Sequence, residues 1–485
     1  MENTQNGSAQ NVGKVDKYFG ITKMGSTFKT EIVAGITTFM TMVYILMVNA
    51  GMFKDVIGGE NPYGAAYIAT AIGAIVGTLL MAFLAKMPLA QASGMGINAF
   101  IVYTLCLHTG LSYANTMLFV LIDGVIFLLL TITGLRKYIF EAIPQSVRHA
   151  IPVGIGLFIA YIGCQNAGLV VDAKTLTELV SFNVLKDGFA FSSIVAPLVA
   201  IIGVIAIAVL SKKNVKGAVL WGVIGSAVVF YALHGICYAC GDTTSKAIFD
   251  GITMSNPFEA FKAWGKDSAG KVFTEGFDFS AYLGRGNTTG NLVLVLITSA
   301  LSLCMIDMFD TIGTLYGACS KGNLLDENGT PLNMNKSMLA DAIATCVGSI
   351  GGTSTVTTFV ESSSGVAAGG KTGFTALVTA ICFTVAMFLS PVAELIPSSA
   401  TAAALIWVGI LMMNSVVKID WNDPVDAIVA FATFIVMLLG YSINKGIGAG
   451  ILVYMITKIC TGKIKEISLP TWIIGLLFIA TFLLT

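Results

Sequence analysis

The stretch GTSTVTTFVESSSGVAAGGKTG, Gly352 to Gly373, sets one carboxylate, Glu361, within a run of serine, threonine, glycine and small apolar residues. Val356 to Val360 is β-branched and aromatic, which suits a short extended segment. The SSSGVAA that follows suits a helix start whose serines can cap orphan amides. Around this stretch the chain is apolar: 55% of its 485 residues are hydrophobic and 11% are charged, against roughly 25% in soluble proteins. Its mean hydropathy is +0.83. Such a chain is a polytopic membrane protein, and irregular backbone at membrane depth survives only where it is buried in protein or lines a wet cavity. Glu361 is therefore expected where a strand gives way to a half-helix, facing a cavity. A carboxylate at that depth is costly and marks a functional position by default. The competing reading is that Gly365 and Gly369 let helices pack closely, with Glu361 at an interface.

Working outward, a window of about 20 residues finds apolar runs from 29–50 to 470–484, several too short or too glycine-rich for an ordinary span. With alternating crossings and a cytoplasmic amino terminus, the clusters Lys14 to Lys29, Arg136-Lys137-Arg148, Lys212-Lys213-Lys216 and Lys321 to Lys336 all fall inside, as the positive-inside rule asks. Residues 1–23 lack the apolar core of a signal peptide, so the first span is expected to act as its own insertion signal. Segment 241–289 then lies outside and divides the chain into two parts. QASGMGINAFIVYT (Gln91 to Thr104) in the first part has the character of the opening stretch in the second. Such a pair is the pointer to inverted repeats whose broken helices meet at the midplane. At the carboxyl end, either 446–460 is a broken helix or 470–484 is an addition. The 27 basic and 27 acidic residues cancel, so no net field recruits nucleic acid. The nine cysteines form neither a metal-site spacing nor a disulfide framework, although Cys237 and Cys240 are near enough in sequence to pair.

MIDMFDTIGTLYG (Met305 to Gly317) places Asp307, Asp310 and Thr314 at three- and four-residue spacings on one helical face. Two acids on one intramembrane stripe suggest a polar pocket in which a proton is held and released near neutral pH. Asp310, and less readily Asp307, also fits a structural role bonded to a broken helix. Asn98 holds the matching place in the first part, either as a cap or with its amide in the cavity. Asp123, in LFVLIDGVIFLLL, is a further intramembrane acid that a structural bond would explain. His108, His149 and His234 fall near span ends and read as interfacial. Phe100, Phe309 and Phe359 are candidates for ring stacking or for packing. No Walker loop, GxSxG elbow or HExxH appears, so neither a coupled ATPase nor a hydrolase is indicated, and no cofactor or metal is expected. A channel would want rings of repeated carbonyl or acidic motifs, which are not evident.

GMGINAFIVYT, FDTIGTLYG and STVTTFVESSSGVAAGGKTG resemble the site motifs of the nucleobase/ascorbate transporter (nucleobase cation symporter-2) superfamily, in its AzgA-like branch of adenine, guanine and hypoxanthine permeases. The resemblance extends over nearly the whole chain, including Thr133 to Gly163 and Ala403 to Met413. It implies an all-α membrane fold of about 14 spans as 7+7 inverted repeats, with short strands in the broken spans 3 and 10. On the runs above it implies a cytoplasmic segment 1–28, a core domain from 29–134 and 290–390, a gate domain from 147–240 and 400–485, and an extracytoplasmic loop 241–289. Motif match implies purine contacts from Asn98, Asp307 and Glu361, and proton coupling among Asp307, Asp310 and Glu361. The implied function is proton-coupled uptake of a purine nucleobase at the cell (inner) membrane. Sodium coupling and a homodimer remain open, and the alternative is an anion, xanthine or uracil carrier of the same fold. The chain departs from the branch at Ser93, where proline is usual, and at Ser363-Ser364, where the branch has alanines; hydroxyls beside the pocket bear on which purine is preferred. A purine edge offers ring N–H donors, and an ionised carboxylate accepts from it with charge-assisted bonds worth about 1.5 to 3 kcal/mol each. Backbone amides at the half-helix starts suit the purine's acceptors.

Overall fold

The computed structural model describes residues 13–134, 143–172, 177–183, 185, 189–252, 256–327 and 329–484. Arg136, Lys137 and the side chain of Phe309 lie outside the described residues. The apolar runs become helices that stop where polar and glycine-rich sequence begins. In chain order they are α1 (Phe28–Phe53), α2 (Pro62–Ala85), α3 (Met95–His108), α4 (Tyr113–Thr133), α5 (Gln145–Asn166), α6 (Ser192–Lys212) and α7 (Ala218–Ala239). After the intervening segment come α8 (Thr289–Lys321), α9 (Met334–Gly351), α10 (Ser362–Ala367), α11 (Gly373–Glu394), α12 (Ser398–Lys418), α13 (Pro424–Leu439), α14 (Ile443–Cys460) and α15 (Leu469–Leu484). Among the described residues, 10 helices are long and apolar enough to cross a bilayer, and α3, α13 and α15 are shorter apolar helices. The carboxyl end holds two separate helices, α14 and α15, joined by a 3-10 turn at Ile464–Glu466.

Orphan amides at helix starts need partners, and local side chains supply them. Asn61 Oδ1 accepts from the Gly64 amide at 2.7 Å, with Pro62 at the first helical position of α2. Ser112 and Asn115 form a reciprocal capping box on α4. Thr288, Thr372 and Asp423 cap α8, α11 and α13. Glu31 caps at longer range: it is fully buried in α1 and accepts from the Lys371 and Thr372 amides and from the hydroxyls of Thr372 (2.8 Å) and Thr375 (2.6 Å) at the start of α11.

The glycine-rich interruptions form strands. β1 (Gln91–Ser93) lies before α3; β2 (Val170–Asp172) and β3 (Thr177–Leu179) make a small hairpin after α5; β4 (Val356–Thr358) lies before α10. β1 and β4 pair antiparallel in the register Gln91↔Thr358, Ala92↔Thr357, Ser93↔Val356, and all six residues are buried. The extended run expected at Val356 is thus observed, and its partner comes from the first part of the chain. The segment between α7 and α8 carries short helices, including Pro257–Asp267, which packs on α2. Trp264 Nε1 donates to Gly351 O at 2.8 Å, and Ser268 and Tyr113 meet at Gly352, where φ is +86°.

The helices sort into two groups. In one, α1, α2, α8 and α9 pack on the strand pair, with α4 and α11 packed on them; in the other, α5, α6, α7, α12 and α13 pack on one another. Each group draws on both parts of the chain. One expectation about side chains changes. His234 is buried within α7, its Nδ1 2.9 Å from Ser245 Oγ, because the helix after α7 folds back over it. Cys237 and Cys240 are both free.

Glycine sets the closeness of α5 and α12. A Cβ at Gly156 would lie 2.8 Å from Gly409 O, and one at Gly409 would lie 2.4 Å from Gly156 O. Both obstacles are backbone and neither can rotate away, so small residues are required on both sides. Gly409→Leu is expected to cost about 1–3 kcal/mol through overpacking. It should appear as a lower midpoint of thermal unfolding for the protein in detergent.

Candidate functional site

Glu361 follows β4 and directly precedes α10, with helical backbone angles (φ −59°, ψ −25°). It is half-buried beside Val360, which is 44% exposed. Its Oε1 accepts from the Tyr44 hydroxyl of α1 at 2.7 Å, and Thr41 Oγ1 lies 3.4 Å from its carbonyl oxygen. The serines after it do not cap α10 as expected. Ser362 instead reaches across to the first part of the chain, accepting from the Ala90 amide at 3.0 Å.

Asn98 is fully buried, and it does not cap α3, whose N-cap is Gly94. Its Oδ1 accepts from the hydroxyls of Ser93 (2.8 Å) and Ser354. Ser93 Oγ also meets Ser354 Oγ at 2.7 Å and accepts from Thr353 Oγ1 at 3.1 Å. The carboxamide therefore ties the two interrupted elements together. Ser93, which stands where a proline would have no side-chain donor, is a working member of this network.

The acids of α8 diverge. Asp310 is half-buried, and its Oδ2 accepts from Thr357 Oγ1 of β4 at 3.3 Å. Its electrostatic neighbour is Glu361. Asp307 is fully buried, with neither carboxylate oxygen bonded among the described residues, and its electrostatic neighbours are Asp123, Asp341 and Asp310. Three residues advance a helix by about 300°, so side chains at that spacing point about 60° apart. That is enough to aim one acid at the strand and the other at α4. Thr314 Oγ1 bonds the Asp310 carbonyl at 2.8 Å and is not a third acceptor in the pocket. Asp123 is likewise buried with both oxygens unpaired among the described residues, so the structural bond expected for it is not seen.

Asp341 of α9 was not singled out from the sequence, yet it organises the strand pair. It is fully buried and accepts from Gln91 Nε2, from Thr311 Oγ1 of α8 at 2.6 Å, and from Thr358 Oγ1 at 3.0 Å. Gln91 and Thr358 are direct cross-strand partners, so one carboxylate clasps both strands. Its signal was an acid inside the short run 338–351, overshadowed by the pair on α8. Phe100 and Phe359 are both buried among apolar neighbours.

Two clefts open, one among α3, α8, α14 and α15 and the other between α1 and α12. One, of ≈ 330 Å³, is lined by Thr104, His108, Arg285, Ser299, Asn444 and Lys445 among others; the second, of ≈ 190 Å³, by Met47, Lys54, Asp55, Asn166 and Leu405 among others. Glu361 lines neither. The Tyr103 hydroxyl of α3 lies 3.4 Å from Asn166 Nδ2, and its ring is edge-on to Tyr441 at 6.2 Å. Tyr441, at φ +49°, donates to Gln165 Oε1 at 2.9 Å.

Residues 29–449 match the model of the permease family Xan_ur_permease. A putative permease of Methanocaldococcus jannaschii is 37% identical over 468 residues, covering 96% of this chain and 98% of the relative. The guanine/hypoxanthine permease PbuO of Bacillus subtilis is 36% identical over 95% of this chain and 98% of its own. The adenine permease AdeQ of Escherichia coli is 33% identical over 96% and 95%. Among solved structures, the transmembrane domain of the cyanobacterial bicarbonate transporter BicA superposes with a TM-score of 0.56 at 15% identity, covering 87% of this chain and 97% of that one. The murine anion transporter Slc26a9 superposes with a TM-score of 0.59 at 12% identity, covering 95% and 74%. The fold is shared with these carriers.

Removing Asp341 would strand buried donors on three elements. Asp341→Ala is expected to destabilise the protein by about 1–3 kcal/mol for each donor left unpaired, and Asp341→Asn by less because one acceptor oxygen remains. Thermal unfolding in detergent should rank them wild type, Asn, Ala.

Proposed function

Because the chain belongs to the Xan_ur_permease family of permeases, we propose that it imports purine nucleobases as a secondary active transporter, by proton symport and alternating access. The observation that carries the reading is Glu361, a half-buried carboxylate at the junction of strand and half-helix, held by Tyr44 and following the strand whose Thr357 bonds Asp310. An ionised carboxylate there accepts from the ring N–H edge of a purine. The names of the relatives favour guanine, hypoxanthine and adenine as cargo. Asn98 holds the wall behind the cargo, and Asp307, enclosed against α4, belongs to the proton path with Asp310.

On this reading the helices form 14 spans as 7+7 inverted repeats, with α15 as an addition. The group around β1 and β4 is the core domain (29–134 and 290–390), and the group around α5 and α12 is the gate domain (147–240 and 400–485). The amino terminus is cytoplasmic, and the segment 241–289 lies on the far side of the cell membrane. The anion carriers that share the fold suggest a second reading, but a site bearing Asp307, Asp310 and Glu361 repels anions.

Competitive uptake of labelled hypoxanthine against adenine, guanine, xanthine and uracil, in cells lacking their own permeases, tests the cargo; inhibition by uracil alone would overturn it. Glu361→Gln turns an amide toward the purine's donors and is expected to weaken apparent affinity about ten- to a hundredfold with insertion intact. Asn98→Ala should weaken affinity less and lower the unfolding midpoint, since it leaves buried hydroxyls unpaired. Uptake should rise as external pH falls from about 7.5 to about 6, collapse with a protonophore and ignore replacement of sodium by choline. Strict sodium dependence would remove the proton and leave the purine pocket standing.

A further inference from the structure

We propose that Asp123 and Asp307 form the seat of the transported proton, a buried carboxyl pair set behind the purine site between α4 and α8. The inference rests on the proton-symport reading and assigns it a place and a second residue.

The two side chains come from helices that pack together. Both are fully buried, and all four of their carboxylate oxygens lack a hydrogen-bond partner among the described residues. Cys304, one turn before Asp307, is within electrostatic reach of both acids. Gly124, next to Asp123, draws α9 close: a Cβ there would lie 2.8 Å from Cys346 Sγ. The titratable groups facing the pair are Cys304 and Asp310 of α8 and Cys346 and Asp341 of α9. None of them carries positive charge. Asp341 is engaged by Gln91, Thr311 and Thr358, and Asp310 by Thr357.

Two bare carboxylates cannot persist together in so dry a place, so the pair holds a cation. Four carboxylate oxygens beside two thiols make a poor sodium site, since sodium wants more hard oxygen ligands and gains little from sulfur. They suit protons, because a carboxyl bonded to a carboxylate gives both groups a short, charge-assisted partner. The pair keeps one proton throughout and takes the transported proton as its second. It is neutral when loaded and singly charged when empty, and never exposes two charges to the bilayer interior. Coupling to cargo runs along α8 to Asp310, one turn on, which grips Thr357 of the strand leading to Glu361.

The test uses the full chain in proteoliposomes with labelled hypoxanthine and an internal pH dye. Wild type is expected to take in one proton with each purine. Asp123→Asn should bind purine within about threefold of wild type and still exchange labelled for unlabelled purine. It should lose accumulation, proton entry and the pH dependence of uptake, and Asp123→Glu should restore all three. Equal proton entry in wild type and Asp123→Asn overturns the pair while leaving symport intact. Absence of purine-driven proton entry in wild type overturns the symport reading and this inference with it. Should Asp123→Asn fail to fold, infrared difference spectra with and without hypoxanthine decide the matter. A protonated-carboxyl band that shifts in Asp123→Glu supports the pair, and an unshifted band overturns it.

Discussion

Two short strands buried at membrane depth must satisfy their backbone groups without water, and each can do so only with the other. β1 and β4 pair over three residues, and the pairing continues through Gly94 N to Thr355 O at 3.0 Å and Phe359 N to Ala90 O at 3.1 Å. Neither part of the chain can close its own interruption, so the parts fold as one body. The register then decides the site. Thr358 turns to Asp341 and Thr357, on the opposite face, turns to Asp310. A slip of one residue would exchange those faces, sending the clasp toward α8 and the Asp310 partner toward α9.

How much of this was legible follows from how each residue announces itself. Glu361, Asp307, Asp310 and Asn98 stood out because polar groups in apolar runs are costly and therefore conspicuous. The strand at Val356 could be read from local β-branched residues, and the matching glycine and small-residue character at Gln91 marked only the corresponding break in the first part. What stayed hidden were the partners. Tyr44 is 317 residues from Glu361, and no local period links them. Asp123 looked solitary because α8, the helix it packs against and the one that carries Asp307, is far away in sequence. The shared stripe of Asp307 and Asp310 was correct in spacing, yet the angle of about 60° between them sends them to different neighbours. Asn98 could be placed near the cavity, but only the pairing of β1 with β4 shows that its amide is spent on serines from both parts.

The two kinds of contact in the molecule differ in stiffness. Within a helix group, backbone meets backbone at glycine, as at Gly156 and Gly409, and nothing can yield. Between α3 and the turn before α14, Tyr103 and Tyr441 touch edge-on, a contact worth roughly 0.5–1.5 kcal/mol.

The segment between α7 and α8 is a loop by sequence and part of the core by attachment. Trp264 and Ser268 hold Gly351 and Gly352, a few residues before β4, and Asn115 of α4 donates to the Gly276 and Asp278 carbonyls at 2.9 Å. Such a segment does not have the usual tolerance of a surface connection for insertions. A chimera taking this region from another permease would have to import Tyr113, Asn115 and the turn at Gly352 along with it, or leave the strand pair without its outer support.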